Sequence, residues 1–144
     1  MSKNAGVVRE LMRAFPDDVV AAQDDAEARA TAAELLIEVS VPDFVTAMVA
    51  PDGWSSERNG VEGFFSSWGE FVAGFARFAI ELEELIERGD VVVVLARQHG
   101  VPKGGSAEIT TDGAAIFYFR DSLVERLEFH LDRAQALRVI DLEA

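Results

Sequence analysis

A row of side chains near the end of the chain has the types and spacing to do chemistry. Glu128, His130 and Asp132 stand at alternate positions, so on a strand they share one face, with Arg126 below them. A carboxylate–imidazole–carboxylate row can move a proton as general acid and base, or contribute ligands to a metal. A plainer account competes with it. Leu127, Phe129 and Leu131 alternate with the row and want the core, which sets the charged side chains on the outer face. Asp132 also suits the cap of a following helix. A second pair, Arg97 and His99, shares a strand face beside the loop 101–105, where a pocket mouth would lie. These two could orient an anionic or carbonyl-bearing ligand, or simply be solvated strand-end charges. Gln98 belongs to the opposite face, and the pattern does not say which face is inner.

Other chemistries are excluded. The chain has no cysteine, so thiol catalysis and disulfides are absent. Lys103, Gly104, Gly105 and Ser106 lack the spacing of a phosphate-binding loop. The 26 acidic against 13 basic residues give a net charge of −13, which repels nucleic acid and anionic membrane surfaces alike. No metal or cofactor is expected. Arg9, Glu10 and Arg13 interrupt any apolar leader at the N-terminus, and the longest apolar run, 91–96, is far short of a membrane span. The expectation is a soluble, cytoplasmic protein. With 49% hydrophobic residues in 144, residues 1–144 read as one domain able to bury roughly 68–70% of its unfolded surface.

The elements that must position these residues follow from periodicity. Val7, Val8, Leu11, Met12 and Phe15 define a helical face over 4–15, and Pro16 with Asp17 and Asp18 breaks it and starts another helix. An alanine-rich helix over 24–39 ends before Pro42, and 44–49 reads as a strand. Asn59 and Glu62 have the spacing of a capping box. Val61, Phe64, Phe65, Trp68, Phe71, Val72 and Phe75 then mark the clearest amphipathic helix, whose stripe should face a sheet. Strands follow: Phe78, Ile80 and Leu82 alternate with polar residues, Gly89-Asp90 turns into 91–99, and 106–120 is long with a bulge or bend expected at Gly113. Asp121-Ser122 turns into 123–131, and Asp132 with Gln135 forms a second capping box for a short helix carrying Ala136, Leu137 and Ile140. Helices first and hairpin-connected strands after them make an α+β cone: a curved antiparallel β-sheet with N-terminal helices packed in its concave face, its mouth a natural cavity.

At this point the residues resemble a known group. The order Pro42-Asp43-Phe44, then 59–65 with Trp68, then Glu87-Arg88-Gly89-Asp90 before valines, is similar to SnoaL-like members of the nuclear transport factor 2-like (cystatin-like, ketosteroid isomerase-like) superfamily. So is the ending, 117–121 followed by Leu131-Asp132-Arg133 and Ala136-Leu137. The likeness covers residues 41–138 in register, and the first helices match with extra residues around 24–33. It implies a pocket between sheet and helices, commonly in a homodimer formed through the sheet. Ile116, Tyr118 and Val124 hint at that dimer face. The superfamily includes polyketide cyclases and ketosteroid isomerases, and many members without a known reaction, so the fold does not settle function. The isomerase-like base would fall in 45–49, which holds no carboxylate, and the SnoaL-type base aligns with Phe129, a ring that accepts no proton. A register shifted by one would put Glu128 or His130 there instead.

Two functional readings follow. The first is a small-molecule-binding protein, of cyclase or isomerase type, acting on a hydrophobic carbonyl-bearing ligand. The second is a non-catalytic ligand-binding or protein-interaction domain. Under either reading Trp54, Trp68, Ala115, Phe117 and Phe129 line the pocket, Trp54 from a loop. The candidate catalytic groups are His99, Arg97, His130 and Glu128. The discriminating question is whether a proton acceptor points into the cavity.

Overall fold

Six strands form one curved, unclosed sheet in the order β2-β1-β6-β5-β4-β3. The computed structural model describes residues 2–143, with side chains through Ile140. Three helices come first: α1 (Lys3–Ala14), α2 (Val19–Ala22) and α3 (Ala26–Val39). Then follow β1 (Ser40–Val49), β2 (Ser55–Asn59), α4 (Gly60–Val72), β3 (Phe75–Arg88), β4 (Val91–Pro102), β5 (Ile109–Arg120), β6 (Leu123–His130) and α5 (Arg133–Glu143). Every neighbouring pair is antiparallel except β1 with β6, which run parallel. This is the expected α+β architecture, with one parallel pair where the chain closes its two halves together.

Side-chain oxygens start the first three helices. Ser2 accepts from the Ala5 amide, Asp18 from Val20 and Asp25 from Glu27 and Ala28. Asp18 also accepts from the backbone N–H of Phe78 at 3.2 Å, tying α2 to β3. Neither expected capping box closes. The Asn59 amide donates to the Asp43 carbonyl at 3.0 Å and leaves α4 without a side-chain cap. Asp132 does cap α5 through the Ala134 amide, but Gln135 turns to His130 instead. Pro42 does not sit after the helix in a loop; it lies within β1, in the unpaired stretch between Ser40 and Val45. The segment 55–59, which the periodicity leaves unassigned, pairs with β1 as the edge strand β2. The expected loop 101–105 loses its first two residues to β4.

The two sheet faces bury different things. The inner face carries Val92, Val94, Phe117, Phe119, Leu127 and Val124 under α1–α4. The outer face carries Val93, Ala114 and Ile116, and α5 covers them with Ala136 and Ile140. The helices therefore do not all gather on one side, because six apolar strand residues at 91–96 leave the outer face in need of its own cover. Ile116 and Val124, expected at a dimer surface, are fully buried within the single chain, the latter turned inward by the register shift between Tyr118 and Phe119. Asp121 and Ser122 both take positive φ, the backbone of a tight two-residue hairpin. Among the described residues no helix is long and apolar enough to cross a membrane.

Candidate functional site

The candidate row near the C-terminus is buried, but on the outer face. In the sheet register Glu128 lies opposite Ile116 and His130 opposite Ala114, both residues under α5. His130 is 2% exposed; its Nε2 donates to Glu128 Oε1 at 3.0 Å, and its Nδ1 lies 3.4 Å from Gln135 Oε1 on α5. Arg126 donates to Glu128 at 2.7 Å and grips Glu57 of β2 through both terminal nitrogens, at 3.1 and 3.3 Å. The Tyr118 hydroxyl donates to Glu128 at 3.4 Å. Burial pushes the Glu128 carboxyl up, but hydrogen bonds from His130 and Arg126 outweigh it and hold its pKa below the ordinary value. Burial likewise opposes the charge on Arg126, and the bonds to Glu57 and Glu128 raise its pKa regardless. Asp132 is spent on its cap and does not join the row. This network fastens α5 and β2 to the sheet; it touches neither cavity described below.

Arg97 and His99 also face outward. Arg97 pairs with Asp112 at 3.4 Å and Glu83 at 3.8 Å, and His99 lies 3.0 Å from Glu81 and 3.3 Å from Thr110. They form a half-exposed ladder of charge across β3, β4 and β5. None of the four candidate catalytic residues lines either of the two cavities described below.

Two cavities lie against the inner face, and Trp68 of α4 is a wall of both. The first, about 70 Å³ and about 700 Å³ with its open mouth counted, lies among the helices and is floored by Phe117 and Leu127. The second, about 100 Å³ and about 420 Å³ with its mouth, lies at the end of the cone between β1, β4, β6 and the last turn of α4. Its walls are Trp54, Trp68, Phe71, Phe129 and Met48, and its one polar side chain is Gln98. Trp54, 63% exposed, stands at the mouth, where the Asp52 carboxylate accepts from its backbone N–H at 2.9 Å. Phe129 meets Trp68 edge-on, with ring centroids 4.9 Å apart, on the side of the second cavity. The Trp68 indole Nε1 is buried without a hydrogen-bond partner.

The expected lining is thus divided. Trp54, Trp68 and Phe129 stand on the mouth cavity, and Phe117 with Trp68 on the helical one. Ala115 lines neither; it is buried in the core. The inward residue of β6 is Phe129, so Glu128 and His130 do not take the place of a SnoaL-type base. Gln98 reaches the cavity because Gly113 faces it: a Cβ there would lie 2.4 Å from Gln98 Nε2. Gly113 is therefore a close approach rather than a bulge, and the β4–β5 register runs through it unbroken. Gln98 Oε1 accepts from Thr111 at 3.4 Å.

Helices α1–α4 on one face of an open six-stranded sheet, with cavities between, make the nuclear transport factor 2-like fold. Within it, the chain belongs to the SnoaL-like domain family, whose sequence profile matches residues 4–127. Solved structures share the fold. A protein from Jannaschia sp. CCS1, proposed to be a SnoaL-like polyketide cyclase, superposes with a TM-score of 0.65 at 20% identity, over 96% of this chain and 89% of its own. A nuclear transport factor 2-like protein of unknown function from Burkholderia pseudomallei K96243 gives 0.63 at 21%, over 97% and 98%. TerC, co-crystallised with polyporic acid, gives 0.66 at 20%, over 97% and 99%. At these identities the likeness is one of fold. No curated protein matches the chain.

Proposed function

We propose that this SnoaL-like chain holds a small, flat, largely apolar molecule bearing a carbonyl in its mouth cavity, and that it binds the molecule without taking a proton from it. The supporting observation is the composition of the walls. Among the described residues neither cavity is lined by a carboxylate or an imidazole, and the inward position of β6 is a phenyl ring. A cyclase or isomerase of this fold needs a proton acceptor within reach of its ligand. Gln98 supplies something else: an uncharged amide that donates to a carbonyl oxygen and fixes its direction. The rings of Trp54, Trp68, Phe71 and Phe129 supply flat apolar contact around that one polar point. TerC, of the same fold, was crystallised with polyporic acid, which agrees with an organic ligand here.

The test uses 2-acetylnaphthalene, a flat aryl ketone with exchangeable protons beside its carbonyl, and 2-ethylnaphthalene as its hydrocarbon counterpart. Tryptophan fluorescence should show saturable binding with preference for the ketone, and Gln98→Leu should abolish the preference. Proton NMR in deuterated buffer should show acetyl-proton exchange no faster than in buffer alone. Catalysed exchange would restore the isomerase reading; equal affinity for the two probes would remove Gln98 from the account.

We place the protein in the cytoplasm as a homodimer formed through the sheet. The dimer would use the part of the outer face that α5 leaves uncovered, since Ile116 and Val124 are buried in the chain. Light scattering at micromolar concentration should then return twice the chain mass of 15.7 kDa, and a monomer mass would refute it.

A further inference from the structure

The cavity among the helices has a character of its own. Leu11, Phe15, Leu35, Leu36 and Phe64 make its walls apolar, and Arg29 with Gln23 stands among them from the α2–α3 region. The Arg29 guanidinium carbon lies 5.0 Å from the centroid of the Phe65 ring, a cation–π contact with another wall residue. Among the described residues that guanidinium has no ion-pair or hydrogen-bond partner, although acidic residues outnumber basic ones 26 to 13. Asp25, one helical turn before Arg29, is engaged with the Glu27 and Ala28 amides.

The space exists because the helices bring small side chains to it. Ala14, Ala22, Ala28 and Ala32 all line the cavity, where leucines would fill it. A cavity with apolar walls and one ring-backed guanidinium matches a ligand with an apolar tail and an anionic head. The guanidinium offers five donors in a planar fork, the geometry a carboxylate accepts. The net charge of −13 opposes any anion at long range, but at physiological ionic strength that field is screened beyond about 8 Å while contact pairing is not.

From this geometry we infer a second binding site, separate from the mouth cavity, that takes an amphipathic monocarboxylate: tail against Leu11, Leu36 and Phe64, carboxylate on Arg29. The site does not depend on the ketone reading, because it shares only the Trp68 wall with it.

Octanoate and octan-1-ol, titrated by calorimetry at pH 7 against the full chain, test the assignment. Octanoate should bind one per chain, and Arg29→Gln should weaken it roughly fivefold, the loss expected of one partly exposed ion pair, while leaving octanol unchanged. Arg29 is exposed, so this variant should melt as the parent does, and circular dichroism verifies it. Gln98→Leu should leave octanoate affinity unchanged, which separates this site from the mouth cavity. The inference is overturned if octanoate does not bind, if Arg29→Gln weakens acid and alcohol equally, or if 2-acetylnaphthalene displaces octanoate competitively.

Discussion

Phe117 has no exposed surface and sits at the centre of the inner face, while Phe129 is half-buried against the edge of Trp68. A carboxylate at position 117 would be buried beside Val92 and Leu127 with nothing to pair it, and desolvation would dominate its energy. We expect Phe117→Asp to lower the melting temperature by more than about 10 °C, and Phe129→Asp to lower it by somewhat less. Unchanged melting in both would mean that the strand faces are reversed. The inward direction of these rings was legible because β6 alternates sharply, Leu127 and Phe129 against Arg126, Glu128 and His130. Gln98 was not legible, for two physical reasons. Residues 91–96 are apolar on both faces, because α5 covers the outer one, so alternation reveals no side. The register also shifts between Leu82 and Glu84. A plain hairpin counted from Gly89-Asp90 would set Gln98 opposite Glu81 and send it outward; the extra residue, Glu83, sets it opposite Ile80 instead. Arg29 gave no signal either, since its stretch of α3 reads as an ordinary solvated helix face.

At the scale of elements, α5 is held by apolar packing and by the His130–Gln135 contact, in the network that continues through Glu128 and Arg126 to Glu57 on β2. The sequence showed the row and its outward face; it did not show that a helix returns to bury it. Glu128 has a folded pKa below its ordinary 4.5, so the stabilisation it brings is complete above that value and is lost as pH falls through the lower folded pKa. Glu128→Gln leaves Arg126 and His130 short of a charge partner and should cost about 1–3 kcal/mol at pH 7. Chemical denaturation from pH 7 to pH 3 provides the measurement. The parent should lose stability on acidification more steeply than the variant, and the gap between them should narrow at the acid end. Parallel profiles would show that the Glu128 carboxyl titrates alike in the folded and unfolded chains, so that its partners do not favour the ionised form.

The whole molecule carries its charge of −13 on 144 residues, with the ionic ladders of the outer face too exposed to offset it. Self-repulsion should therefore limit stability at low ionic strength, and the melting temperature should rise between about 10 mM and 150 mM sodium chloride as the Debye length shortens from about 30 Å to about 8 Å. A fall over that range would assign the greater weight to the surface ion pairs. The order of helices and strands made the cone readable. Which side of the sheet α5 covers was hidden, because a short amphipathic helix fits either face equally well.

Among the described residues, the inner face of the sheet presents a side-chain amide and no base to the mouth cavity beside Trp54 and Trp68. Side-chain amide NMR on the uniformly labelled chain, titrated with 2-acetylnaphthalene, addresses this most directly. The account predicts that the Gln98 amide and Trp68 indole signals shift together with saturation while the His130 ring signals stay fixed. Movement of the His130 or His99 signals with Gln98 unmoved would contradict it, because the ligand would then sit on the outer face.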